Sequence, residues 1–198
     1  MAETAGSISG RRAAQLVAVA GPLVLCDQAT KAWAEASLAG RAEELPVIDG
    51  AVSLLAVHNP GAFFGLGASL TGEVRVAMFA CATLLATALI GGLHLRSRPS
   101  QRVLRMSLGL LLAGAVGNLI DRMRIGEVID FLHLRLIGTA EQVTVNLADV
   151  FITAGLALVV IDALRARRAD RDTDPSEVEG RDARATIPSQ GSPSRGLR

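Results

Sequence analysis

From Val74 to Leu95 the chain reads VRVAMFACATLLATALIGGLHL, with Arg75 as its one full charge and His94 near its far end. A helix rises about 1.5 Å per residue, so a run of this length covers a hydrocarbon core of about 30 Å. Three other stretches have the same character. Residues 13–34 carry Pro22, Asp27 and Lys31. Residues 103–122 hold Arg105 near their start and Asn118, Asp121 and Arg122 at their end. Residues 146–165 have Asp149 near the start and Asp162 near the finish. Four such runs define an α-helical membrane protein. Arg11 and Arg12 precede the first run, and no small-x-small cleavage pattern follows it, so it reads as a retained span rather than a signal peptide.

The remaining composition excludes other classes. A net charge of +1 offers no basic reservoir, so no nucleic-acid partner is expected. Two cysteines, Cys26 and Cys81, both in apolar runs, exclude a disulfide framework and a four-cysteine zinc site. Cys26 reads as a small buried apolar residue. His58, His94 and His133 are scattered without an HExxH pattern, and there is no GxSxG. Ser69 lies in a Gly-rich loop, and Lys31 with Ser37 or Ser53 could imitate a Ser-Lys dyad only weakly. No metal and no cofactor is expected.

Arginines orient the spans. Arg11 and Arg12, the linker cluster Arg96, Arg98, Arg102 and Arg105, and the cluster Arg165, Arg167 and Arg168 fall on one side of a four-span topology. Both termini are therefore expected in the cytoplasm, after a short segment 1–12. Segments 35–73 and 123–145 are expected outside. PVIDGAVSLLAVHN followed by GAFFGLG suggests an extracytoplasmic β element over about 45–67. EVIDFLHLRL and EQVTVN read as strand-like or re-entrant. Residues 166–198 mix both charge signs with Pro, Ser and Gly and almost no large apolar residue, and are expected to form a disordered cytoplasmic tail.

Ionisable groups within spans are costly and call for a reason. In this topology Asp27, Lys31, Asn118, Asp121, Arg122, Asp130, Asn146 and Asp149 all fall toward one leaflet. Each has a bland reading. Asp27 and Lys31, spaced i,i+4, could be an ion pair that orients the first span. Asn118, Asp121 and Arg122 could anchor a helix end, and Asn146-x-x-Asp149 could cap the fourth span. Asp130, flanked by Val128, Ile129 and Phe131, is expected to be partly desolvated. Gly109, Ala113 and Gly117 form a small-xxx-small stripe that reads as close helix packing. Convergence on one leaflet favours a site. Paired carboxylates sharing one proton can hydrolyse a peptide bond without a metal. The competing reading is a small four-span proton-coupled transporter or binding subunit, which explains intramembrane carboxylates but not their bias to one leaflet.

Five motifs occur in order: D-Q-x-x-K at Asp27–Lys31, N-P-G-A-F-F-G at Asn59–Gly65, G-N-L-I-D-R at Gly117–Arg122, V-I-D-F at Val128–Phe131 and N-L-A-D at Asn146–Asp149. Together they resemble the lipoprotein signal peptidases (signal peptidase II), bacterial intramembrane aspartyl proteases, over residues 13–165. The resemblance implies four transmembrane helices, a small periplasmic β-cradle and a helix or loop over the site. It implies Asp130 and Asp149 as the catalytic dyad. Asp27, Asn59, Gly61, Asn118, Arg122, Asn146 and Ala148 match positions that shape or line the substrate site, with Lys31 and Asp121 in support. The implied substrate is a prolipoprotein carrying a diacylglyceryl cysteine, cut just before that cysteine at the outer leaflet of the bacterial cytoplasmic membrane. Membrane lipid is the other expected partner, and a monomer the expected state. Two departures stand out: Val143-Thr144-Val145 replace a Pro-x-Phe, and Phe63 replaces an Ala.

Overall fold

In a computed structural model the described residues are 2–41, 43–61, 70–135 and 142–172, with side chains described for 10–41, 43–61, 70–135 and 142–168. The chain forms two compact units, Met1–Val159 and Val160–Arg198. The first contains helices α1 (Ala2–Leu38), α2 (Gly72–Arg96) and α3 (Arg102–Ile125), strands β1 (Leu45–Ile48), β2 (Val52–Asn59), β3 (Val128–Arg135) and β4 (Gln142–Val145), and the start of α4 (Leu147–Asp172). The second contains the last turns of α4.

Four helices are long and apolar enough to cross a membrane: Gly10–Leu38, Gly72–Arg96, Arg102–Ile125 and Leu147–Arg168. Their surfaces are arranged as a bilayer requires. Leu25, Leu84, Leu85, Leu89 and Leu156 are exposed, whereas Asp27, Lys31, Asn118 and Asp121 are buried. Cys26 and Cys81 are free and exposed, which corrects the expectation of a buried Cys26. Lipid, unlike water, does not drive a small apolar side chain inward.

The helices run past the expected bounds. The segment ahead of the first span is helical too, because α1 begins at Ala2. No proline interrupts residues 2–12, and a helix once nucleated propagates at little cost. At the other end α4 continues through Asp172, into the stretch read as disordered. Ala166 favours helix, and Arg165, Arg167 and Arg168 complement the negative helix end. The rest of that tail, 173–198, lies outside the described residues, as do residues 62–69, with Phe63, Ser69 and all of the GAFFGLG run after Gly61, and any cover over the site that they would form.

α3 occupies the centre, because its glycines allow close approach on two faces. A Cβ added at Gly109 would meet Val19 of α1, and one at Gly117 would meet the Asp27 carboxylate. Ala113 is fully buried, so the small-residue stripe is a packing surface. On the α4 side a Cβ at Gly114 would strike the Ala148 carbonyl oxygen and lie 2.6 Å from Ile152 Cγ1.

Both inter-helix segments on the same end contribute strands, giving one antiparallel sheet in the order β1-β2-β3-β4. The strand-like reading of both segments holds, and the re-entrant alternative does not. β2 and β3 pair through Val57↔Asp130 and Asn59↔Val128, with a register shift between Leu54 and Val57. Phe131 anchors the sheet on the last turns of α1, packing with Ala34 and Leu38 and meeting Trp33 edge to face at 6.5 Å. This sheet sits over the end of the bundle where α1 and α3 finish and α4 starts.

Gly114→Ala should lower stability by about 1–3 kcal/mol, because a backbone oxygen cannot swing away as a side chain can. Gly91 has nothing within 4 Å of a built Cβ, so Gly91→Ala should be neutral or slightly stabilising. Thermal melts of both variants in one detergent check the contrast; equal midpoints would show that α3 and α4 have room to separate.

Candidate active site

Three chain features deliver two carboxylates to one place. Gly126, with φ of 79°, ends α3, and β3 starts two residues later at Val128. Only glycine adopts this left-handed turn without strain. β3 then carries Asp130 under the sheet, where it is 2% exposed between Ile129 and Phe131. Asp149 sits in the first turn of α4. Its backbone N–H donates to Asn146 Oδ1 at 3.0 Å, while the Asn146 N–H donates to Asp149 Oδ2 at 3.3 Å. That reciprocal pair is a capping box, so the capping role expected of Asn146-x-x-Asp149 is real and coexists with a place in the site.

Side-chain amides hold the carboxylates, and donors that cannot flip fix each amide. Asn146 Oδ1 accepts a backbone N–H, so its Nδ2 must face away, and it donates to Asp130 Oδ1 at 2.7 Å and Asn118 Oδ1 at 3.0 Å. Asn118 Oδ1 also accepts from Lys31 Nζ at 2.9 Å. Its Nδ2 is thereby committed to Asp149 Oδ1, at 2.8 Å. Asn59 Oδ1 accepts from the Gly61 N–H at 3.0 Å, which turns its Nδ2 toward Asp130 Oδ2 at 2.9 Å. Asn59 is placed for this because it stands two residues beyond Val57, the partner of Asp130, on the same face of β2. All four carboxylate oxygens therefore accept from N–H groups.

Behind the amides lies an ionic layer. Lys31 Nζ is 2.9 Å from Asp27 Oδ2 and 2.7 Å from Asp121 Oδ2, and all three residues are 0–1% exposed. Asp27 Oδ1 accepts the Ala148 N–H at 2.9 Å, and Asp121 Oδ2 accepts the Ile129 N–H at 3.4 Å. Gln28, quoted in the first motif but given no role in the sequence reading, bridges Asp27 Oδ2 at 3.2 Å, Asp121 Oδ1 at 3.0 Å and the Gly117 carbonyl at 3.1 Å. Lys31 has no serine partner among the described residues, and Ser53 donates to Glu44 instead.

A cavity of about 410 Å³ opens in front of the pair. Asn59, Gly61, Asn118, Arg122, Asp130 and Asp149 line it, while Asp27, Lys31, Asp121, Asn146 and Ala148 lie behind that wall. α2 supplies the opposite wall with Phe79, Ala82, Thr83 and Ala86, which sequence reading did not single out. Their signal was weak: small residues in a lipid-exposed helix look like any packing surface. Arg122 lies 4.1 Å over the Phe79 ring and donates to the carbonyl oxygens of Gly61 at 2.9 Å and Asn118 at 3.3 Å. Its Nε is buried without a partner. No cluster of three or more His, Cys, Asp or Glu among the described residues could hold a metal ion.

The sequence matches the Signal peptidase (SPase) II family over residues 19–165. The chain belongs to the signal peptidase II family. It is 40% identical over 149 residues to the lipoprotein signal peptidase of Syntrophus aciditrophicus, covering 75% of this chain and 91% of that one. It is also 40% identical over 150 residues to that of Desulforapulum autotrophicum, covering 76% and 91%. A solved bacterial membrane enzyme, determined in meso at 2.3 Å resolution, superimposes with a TM-score of 0.69 at 26% identity, covering 80% of this chain and 93% of that one. With its four spans, a signal peptidase II is a multi-pass protein of the bacterial inner membrane and a protease of the aspartic type. The transporter reading is not favoured.

Within this signal peptidase II site Asp130 is the carboxyl with the more telling environment outside the spans. Burial pushes it from its ordinary 3.8 up to about 6; the Asn59 hydrogen bond opposes that rise, and the Asp149 charge adds to it. A raised carboxyl favours the protonated fold. Its contribution to stability is complete below about pH 3.8 and is lost as pH rises through about 6, a change on the order of 3 kcal/mol. Wild-type protein should therefore lose stability across that window, and Asp130→Asn should remove this slope. Thermal melts of both proteins between pH 4 and 7 measure it, and parallel curves would contradict the raised value.

Proposed function

We propose that this enzyme removes the signal peptide from diacylglyceryl-modified prolipoproteins, cutting just before the lipidated cysteine, with Asp130 and Asp149 as its catalytic pair. The observation that carries the assignment is that these two carboxylates face one cavity, whereas Asp121, the third candidate, is spent on Lys31, Gln28 and the Ile129 N–H. The names of the relatives support the substrate class.

The chemistry follows from the acceptor geometry. Burial, with the Asp149 charge adding to it, lets Asp130 hold a proton to higher pH than a free aspartate would. The ionised member takes a proton from water as the water oxygen attacks the scissile carbonyl carbon. The protonated member gives its proton to the carbonyl oxygen. Collapse of the tetrahedral diol breaks the C–N bond, with a proton passing to the departing amine, and leaves an acid and an amine. The amides do not titrate. They keep both carboxylates aimed at the water throughout.

The membrane frame supports the same reading. Arginines at 11 and 12, at 96–105 and at 165–168 support cytoplasmic termini by the positive-inside rule, and with them a sheet and carboxylate pair at the outer leaflet. There the diacylglyceryl chains stay in lipid and the signal helix stays in the bilayer core. The α2 wall of Phe79, Ala82 and Ala86 offers an apolar face to that substrate. The enzyme acts as a monomer in this reading, since one chain supplies both carboxylates.

Asp130→Asn and Asp149→Asn should each abolish cleavage, by several orders of magnitude, while substrate binding survives. Asp121→Asn should lower folded yield more than turnover per folded molecule, because it strips a partner from a buried ammonium. A gel-shift assay on a diacylglyceryl-modified prolipoprotein, run beside a binding measurement, checks all three. Retained cleavage in Asp130→Asn with loss in Asp121→Asn would move the dyad, and full activity throughout would end the aspartyl assignment. Cysteines introduced at Pro46 and Ser100 should react with impermeant reagent from outside and inside respectively; external labelling at Ser100 would overturn the orientation.

A further inference from the structure

A second cavity, of about 210 Å³, lies at the other end of the bundle between α1, α2 and α3. Gln15 and Val19 come from α1, His94 from α2, and Arg102, Arg105 and Met106 from the start of α3. None of them takes part in the site described above.

The charges there are arranged badly for a protein alone. Arg102 and Arg105 stand at the positive end of α3, whose first turn holds no acidic residue and whose cap, Gln101, gives its side-chain oxygen to the Arg98 N–H rather than to the helix end. Among the described residues no carboxylate lies within ion-pair distance of Arg12, Arg96, Arg98, Arg102 or Arg105. Arg12 instead donates to the Leu95 carbonyl oxygen, and Arg105 to Gln15 Oε1. An anion would satisfy the uncompensated charge and the helix end together.

His94 supplies an independent demand. It is 2% exposed, and its Nε2 lies 3.0 Å from the Arg12 carbonyl oxygen, which can only accept. The ring proton therefore sits on Nε2, and Nδ1 is a bare acceptor, buried with no partner. A hydroxyl hydrogen would complete it. The remaining wall is apolar: Val19 and Met106, 37% and 61% exposed, flank the polar groups and face the lipid side of the helices. A free phosphate has no use for that surface, but a phospholipid does.

We propose that this cavity binds an anionic glycerophospholipid, with the phosphate between Arg102 and Arg105, a headgroup hydroxyl at His94 Nδ1 and an acyl chain along Val19 and Met106. The lipid touches three helices at once and holds their ends together. By the arginine topology it belongs to the cytoplasmic leaflet.

The test uses the purified full-length chain in neutral detergent, titrated with phosphatidylglycerol, with phosphatidylcholine of the same chains, or with inorganic phosphate. Native mass spectrometry reads bound lipid, and the unfolding midpoint reads its effect. Phosphatidylglycerol should be retained and raise the midpoint, whereas phosphatidylcholine and phosphate should do neither. Arg102→Gln, at an exposed position, should weaken retention about fivefold, the loss expected for one interfacial cation. Met106→Trp should weaken it through the apolar wall, without touching a charge. Arg98→Gln, exposed in the same linker but outside the cavity, should change nothing. Equal weakening by Arg98→Gln would mean diffuse attraction and overturn the site. So would retention of phosphatidylcholine to the same extent, or a full midpoint shift from phosphate alone.

Discussion

An ammonium group in the middle of a membrane protein must have every hydrogen answered, and Lys31 has three hydrogens and three acceptors. Asp27, Asp121 and Asn118 take one each, at 2.9, 2.7 and 2.9 Å. Each acceptor passes the constraint on. Asp27 grips the Ala148 N–H and so seats the first turn of α4; Asp121 grips the Ile129 N–H and seats β3; Asn118 turns its amide to Asp149. The two elements that carry the carboxylates thus hang from one buried charge. Removing a partner from such a group costs about 3–5 kcal/mol, because the charge that remains is stranded in low dielectric. The ion pair that in the sequence orients α1 is, in three dimensions, the point from which the site is measured.

Much of this was legible before any coordinates. Four apolar runs long enough to span gave the bundle, while three arginine clusters gathered toward one side and most of the unusual polar residues toward the other marked the end where Asp130 and Asp149 meet. Asp130 among Val128, Ile129 and Phe131 announced a desolvated carboxylate. What stayed hidden depends on distance in space rather than along the chain. Asp121 meets Lys31 across ninety positions, and no periodicity reports that. Gln28 sits beside Asp27 in the sequence, yet its bridge to Asp121 exists only because Gly117 lets α1 and α3 touch. The α2 wall was silent for another reason. Phe79, Ala82 and Ala86 satisfy the composition of a lipid-facing helix and of a cavity lining equally well. The helices run on beyond the apolar stretches where the chain gives no proline to stop them, back to Ala2 and past Arg165.

The amides around the pair show how a protein can choose polarity without spending charge. Asparagine is symmetrical in shape but not in function, and each of these three has been given a direction by a donor that cannot be reversed: a backbone N–H at Asn59 and Asn146, an ammonium at Asn118. Aspartates at those positions would keep the shape and add charges the membrane interior resists. Hydrophobic residues would leave the carboxylate oxygens bare. Neutral groups of fixed direction avoid both costs.

Gly126 and the hydrogen bond from the Ile129 N–H to Asp121 enclose a short piece of chain between α3 and β3. Its beginning is pinned to Lys31 and its end to Asn146 through Asp130, with a single left-handed residue making the turn. There is no slack in it. The interval from Asp121 to Asp130 therefore behaves as a ruler: its length, more than the identity of most residues along it, sets where the Asp130 carboxylate stands relative to α3 and Asn146. Change by substitution is open to this segment, but change by insertion or deletion is closed. The place where the chain can grow or shrink must lie elsewhere, in linkers that no buried contact measures from both ends.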